Sequence, residues 1–169
     1  MTPTYQRIDD PIHGDCFKCC ICTILDLPYD DVPNFIEFPG DEWWTKAVDL
    51  FKEHGYELGG RYLYNPNVIS LESPTYGCFE KYVVPKKETL ESLKLEEGIN
   101  GIFLASVYSP KYQNPNEHPK DHLHSVLCDI YFNIVFDPQE EYQDIVAYPY
   151  SRIIGYNGIR GIETIRKIN

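Results

Sequence analysis

The chain predicts an α+β fold in which N-terminal helices pack against a C-terminal antiparallel sheet. Apolar residues recur at helical spacing through the first third, and from Gly101 onward short β-branched and aromatic runs are punctuated by Gly, Pro and Asn. A length of 169 residues with 43% apolar composition suits one domain, 1–169, whose core needs neither disulfides nor metals.

The residues before Cys16 read as an irregular lead-in, with turn signals at Asp9-Asp10-Pro11 and His13-Gly14. The first helix follows. Asp15 supplies a side-chain oxygen suited to capping, and Phe17, Cys20, Ile21, Ile24 and Leu25 keep the helical period until Pro28 ends it. Pro28 to Phe35, with two prolines and paired aspartates, reads as a turn or a single helical turn linking two helices. The second helix runs from a cap at Asp41 through Trp43, Trp44, Ala47, Val48, Leu50 and Phe51 to Gly55. Its tryptophans, at helical spacing beside Val48 and Phe51, read as packing residues, and His54 in the last turn complements the helix dipole.

Tyr56-Glu57-Leu58 and Arg61 to Tyr64 predict two short strands broken by Gly59 and Gly60, and Lys87 to Leu95 a short helix. Three strands then follow: Gly101 to Val107, Leu123 to Ile130 and Tyr131 to Phe136, with the second turn near Asn133. The polar, proline-rich stretch from Ser109 to Lys120 is a loop of a length that is often functional. Ile145 to Tyr150 and Arg152 to Tyr156 suggest a strand or two completing the sheet. Gly158 and Gly161 argue against a long final helix.

A net charge of −11 repels phosphate backbones, which disfavours nucleic acid as a partner. The first residues lack the apolar core of a signal peptide, and no run approaches the about 20 apolar residues of a membrane span. The expectation is a cytoplasmic protein that uses neither membrane nor cofactor. Four of the six cysteines fall between Cys16 and Cys22, where helical neighbours point apart, so reduced thiols fit better than disulfides. A metal reading would join Cys16, Cys19 and Cys20 with His118, His122 or His124. Zinc sites, however, usually add a second, separated pair, which is missing here.

Cys16 differs from its neighbours by opening the helix. An ordinary thiol is only about 3% ionised at neutral pH, and orphan N–H groups together with the helix dipole favour the thiolate. Cysteine catalysis also needs an imidazole, a group to orient it and oxyanion donors. His124 stands where an apolar strand begins, and Asp137 ends the next strand, so a hairpin brings the two together. His122 is a rival base, on the same face of the strand by alternation.

A glutamine, a helix-opening cysteine, a strand histidine and an aspartate after a short strand form an order that resembles papain-like cysteine peptidases. More narrowly, Asp15-Cys16, His124 and Asp137-Pro138 resemble the peptidase domains that trim bacteriocin precursors. Gly14-Asp15-Cys16-Phe17, Leu27-Pro28 and Val32-Pro33-Asn34-Phe35 are similar to a group of small phage-encoded proteins with Gly-Asn-Cys-Phe, Leu-Pro and Val-Pro-Asn-Phe. Ala105-Ser106-Val107, His124-Ser125-Val126 and Val135-Phe136-Asp137-Pro138 extend the likeness over most of the chain.

The resemblance implies a papain-like fold with Cys16 and His124 facing across a cleft. It also implies a thiol hydrolase, peptidase- or isopeptidase-like, with Asp137 orienting His124 and Gln6 in the oxyanion hole, acting on a peptide or protein in the cytoplasm, that of the host if the protein is phage-encoded. In papain-like enzymes the oxyanion glutamine lies six residues before the cysteine, where this chain has Asp10; Gln6 lies ten before. An aspartate in that place would repel the oxyanion. The alternative is therefore a catalytically inactive papain-like protein that sequesters a ligand or blocks a host defence protein.

Overall fold

The computed structural model describes residues 1–10, 13–64, 79–83, 98–108, 123–129, 134–139 and 159–168. The expected helix at 87–95, the loop at 109–120, the segments at 145–156, and Cys78, His118, His122 and Asn133 lie outside the described residues.

Helix α1 spans Cys16–Leu25 and ends where Asp26 turns left-handed (φ 58°), its N–H returning to the Cys22 carbonyl, two residues ahead of Pro28. Single helical turns at Tyr29–Asp31 and Phe35–Glu37 form the expected link to α2, Glu42–Glu53. Gly55 beyond it has φ 82°, a conformation that glycine adopts without strain, and the His54 ring donates from Nδ1 to the Leu50 carbonyl at 2.8 Å. The cap assignments need correcting. Neither Asp15 nor Asp41 makes a side-chain cap bond. The carboxylate of Asp15 is drawn instead to the lead-in, where Arg7 and Ile8 offer N–H donors that no helix supplies.

Six strands form one sheet in the order β2-β1-β6-β3-β4-β5: β1 Tyr56–Tyr64, β2 Phe79–Val83, β3 Ile102–Tyr108, β4 Leu123–Asp129, β5 Ile134–Phe136 and β6 Ile159–Lys167. All neighbours are antiparallel except β1 and β2. The expectation of an antiparallel, C-terminal sheet thus holds only in part, because β1 and β2 come from the middle of the chain and pair parallel. The two strands expected on either side of Gly59-Gly60 are one continuous strand. Gly59 lies opposite Thr164, and a Cβ there would come within 2.9 Å of the Thr164 hydroxyl, so the glycine permits close strand packing and does not break the strand. The stretch around Gly161 is strand β6, inserted between β1 and β3.

The core lies between helices and sheet. Cys20, Ile21 and Ile24 of α1 and Ala47 and Phe51 of α2 meet Leu58, Leu104, Leu127, Phe136 and Ile165. Strand pairing sets Leu104 beside Leu127 and Leu127 beside Phe136, so one pleat face supplies this row. The ring of Phe17 stands edge-on to Phe35 at 5.3 Å and to Trp43 at 5.6 Å, and Trp43 similarly meets Trp44. The tryptophans therefore pack, as their spacing predicts. Phe51 is fully buried, and Phe51→Ala is expected to destabilise the fold by about 3–5 kcal/mol, measured by urea unfolding. Among the described residues no helix is long and apolar enough to cross a membrane.

Residues 2–8 form a strap along α1. Thr2 N–H donates to the Asp26 carboxylate at 2.8 Å, Thr4 N–H to the Thr23 hydroxyl at 2.9 Å, and Gln6 N–H to the Pro138 carbonyl at 2.8 Å. The Tyr5 ring lies 5.6 Å from that of Phe136. One extended segment thus touches both the helix and the end of the β4–β5 hairpin.

Candidate active site

Two elements bring the sulfur and the imidazole together. Cys16 is the first residue of α1, which packs on β4, and His124 is the second residue of β4. The β4–β5 pairing, Leu127 with Phe136 and Cys128 with Ile134, returns the chain so that Asp137 follows directly after β5. His124 donates from Nε2 to Asp137 Oδ1 at 2.7 Å, with both side chains buried. Gln139 N–H donates to the same oxygen at 2.8 Å, so the Asp-Pro turn also fixes the carboxylate. With Nε2 engaged, Nδ1 is the ring nitrogen left for the thiol.

Ser125 N–H donates to Cys16 Sγ at 3.5 Å. Burial by itself pushes the Cys16 thiol up. The hydrogen bond and charge of His124, joined by Ser125, outweigh it and hold the thiol below its ordinary value. Burial would likewise lower His124, but hydrogen bonds to Asp137 and Cys16 push it up to about 10. The two shifts act in the same sense, towards a thiolate–imidazolium pair.

The other thiols behave oppositely. Burial raises Cys19, Cys20 and Cys128, and takes Cys22 up to about 11. Among the described residues no three His, Cys, Asp or Glu side chains are arranged to hold a metal ion.

A scan against protein-family models finds no match, and searches of curated proteins and of solved structures find none. Geometry alone therefore bears on function.

The two upstream candidates are placed differently. Asp10 directs its carboxylate at His13, accepting its N–H at 2.7 Å and meeting ring Nδ1 at 3.2 Å. Gln6 donates from Nε2 to the Ile8 carbonyl at 3.3 Å, and that carbonyl also accepts Asp15 N–H at 3.4 Å. The Gln6 amide is therefore two hydrogen bonds from the residue preceding Cys16. Sequence reasoning gave no role at the thiol to Ser125, which meets it through its backbone N–H and its side chain, nor to Tyr29, whose hydroxyl donates to Asp15 Oδ2 at 2.5 Å.

Proposed function

We propose that the protein is a papain-like thiol hydrolase that cleaves an amide bond in a peptide or protein. The observation that carries this reading is the line of contacts from the buried Asp137 through the buried His124 to the partly exposed Cys16, with the thiol held below its ordinary pKa. A buried, merely structural thiol is pushed the other way, as Cys20 is.

In this mechanism the Cys16 thiolate attacks the carbonyl carbon, and the carbonyl electron pair moves onto oxygen. The Cys16 N–H, at the first position of its helix, and the Gln6 amide receive that charge. His124 passes its proton to the departing amine, and a thioester on Cys16 remains. A water deprotonated by His124 then attacks the thioester, releasing the acid and restoring the thiol. Asp137 keeps the ring oriented and stabilises the imidazolium through both steps. The Asp10 carboxylate is occupied with His13, which favours Gln6 over Asp10 in the oxyanion role and an active enzyme over an inactive binder.

Iodoacetamide labelling with identification of each modified site tests this directly. At pH 7, Cys16 is expected to react well ahead of Cys19, Cys20, Cys22 and Cys128, and Cys16→Ala to remove the fast phase entirely. Equal, slow labelling of all sites would sink the proposal.

A further inference from the structure

Asp15 stands immediately before the nucleophile, is 1% exposed, and makes no cap bond to its own helix. A carboxylate buried to that degree requires compensating donors. Its donors come from elsewhere in the chain: Arg7 N–H at 3.1 Å and the Tyr29 hydroxyl at 2.5 Å on Oδ2, and Ile8 N–H at 3.2 Å on Oδ1. Tyr29 is itself held, with the Arg7 guanidinium 3.8 Å and the Lys18 ammonium 3.7 Å from its ring centre. Burial and the Asp15 bond raise its hydroxyl above the ordinary range, so it stays a donor.

The strap pinned by Asp15 carries Gln6. On one side of Gln6 its own N–H binds the Pro138 carbonyl, next to the carboxylate that orients His124; on the other, Arg7 and Ile8 bind Asp15, next to Cys16. We propose that Asp15 is a positioning residue, whose buried carboxylate clamps the strap and Tyr29 to the start of α1 and so holds the Gln6 amide beside the Cys16 N–H as the second oxyanion donor. Gln6 lies ten residues before Cys16, and this clamp takes up the slack. The assignment rests on the thiol-hydrolase reading.

Two reagents separate positioning from reactivity. Iodoacetamide is attacked at a saturated carbon: the sulfur–carbon bond forms as iodide leaves, and no oxyanion develops. p-Nitrophenyl acetate is attacked at its carbonyl. The sulfur–carbon bond forms, the carbonyl pair moves to oxygen and returns, the ester C–O bond breaks, p-nitrophenolate leaves, and Cys16 is left as an acetyl thioester. Only the second reaction needs the oxyanion donors.

Asp15→Asn replaces one acceptor oxygen by a donor facing N–H or O–H groups, so it should release the strap. Acetylation at Cys16, followed by p-nitrophenolate release and located by mass spectrometry, is expected to slow about 100-fold. Alkylation should hold or rise, because removing a negative charge beside the thiolate favours it. Tyr29→Phe removes one bond to Asp15 and keeps the ring, so it should show a smaller fall in the same ratio; it carries the test if Asp15→Asn does not fold. Acetylation and alkylation falling together, or acetylation unchanged in a folded variant, would overturn the Asp15 role alone. A wild type that is not acetylated at Cys16 would overturn the hydrolase reading, and this role with it.

Discussion

Replacing His124 with alanine is expected to slow alkylation of Cys16 by about 100-fold at pH 7 and to move the inflection of its pH–rate profile from below the ordinary thiol value to above it. Burial is the largest influence on this thiol and acts upward; His124 opposes it by a hydrogen bond and by its charge, and is the strongest influence lowering it. With the imidazole gone, Ser125 remains, through its backbone N–H at 3.5 Å and its side chain; both act more weakly than His124 and should not hold the thiolate against burial. An ordinary thiol is only about 3% ionised at neutral pH, and one that burial pushes up is less so, which sets the size of the loss. The variant also leaves Asp137 buried without its cation, an arrangement that costs about 3–5 kcal/mol, so folding is checked by circular dichroism before rates are read. An unchanged rate and inflection in a folded variant would show that His124 does not govern the thiol.

Glu163→Gln is expected to stabilise the protein at pH 8 by up to about 3 kcal/mol and to change little at pH 4. Glu163 lies on β6 between Gly60 of β1 and Leu104 of β3, 8% exposed, on the pleat face that holds Leu104 and Ile165. Its charge helps to raise the thiols of Cys20 and Cys128. Burial, which is the main cause, takes its carboxyl from 4.5 up to about 7. Below pH 4.5 the group carries its proton both folded and unfolded, and its contribution to stability is fully present. Above that, the unfolded chain releases the proton first, and stability falls until the folded group also ionises near pH 7. Glutamine carries no charge at any pH, so the difference between variant and wild type should open across this window. Urea unfolding of both proteins at pH 4 and pH 8 measures it. A difference that is the same at both pH values would mean that the carboxyl does not titrate there.

Most of the helical layer was legible in sequence. Phe17, Cys20, Ile21 and Ile24 at helical spacing predict α1, and its first residue is the cysteine expected to open it. The hairpin logic that paired His124 with Asp137 depended only on two neighbouring strands and a short return, and the 2.7 Å bond between them follows from that local register. The middle was less legible. Gly59 and Gly60 read as breakers because local propensity does not reveal that Thr164, more than a hundred residues later, passes too close for a side chain. Asp15 read as a cap for a similar reason. Residue type predicts an acceptor at the start of a helix, but which donors reach it depended on a strap whose path no local pattern encodes.

Local chemistry by itself therefore determined the α+β class, the two helices, the unusual cysteine and the histidine–aspartate pair, because helical period, strand alternation and short turns act over few residues. Tertiary structure alone decided that β6 enters between β1 and β3, that β2 pairs parallel, that Asp10 turns to His13, and that Gln6 shares the Ile8 carbonyl with Asp15. Those outcomes depend on contacts between distant segments, where donors, carboxylates and close-packed backbones compete for partners that no stretch of sequence carries with it.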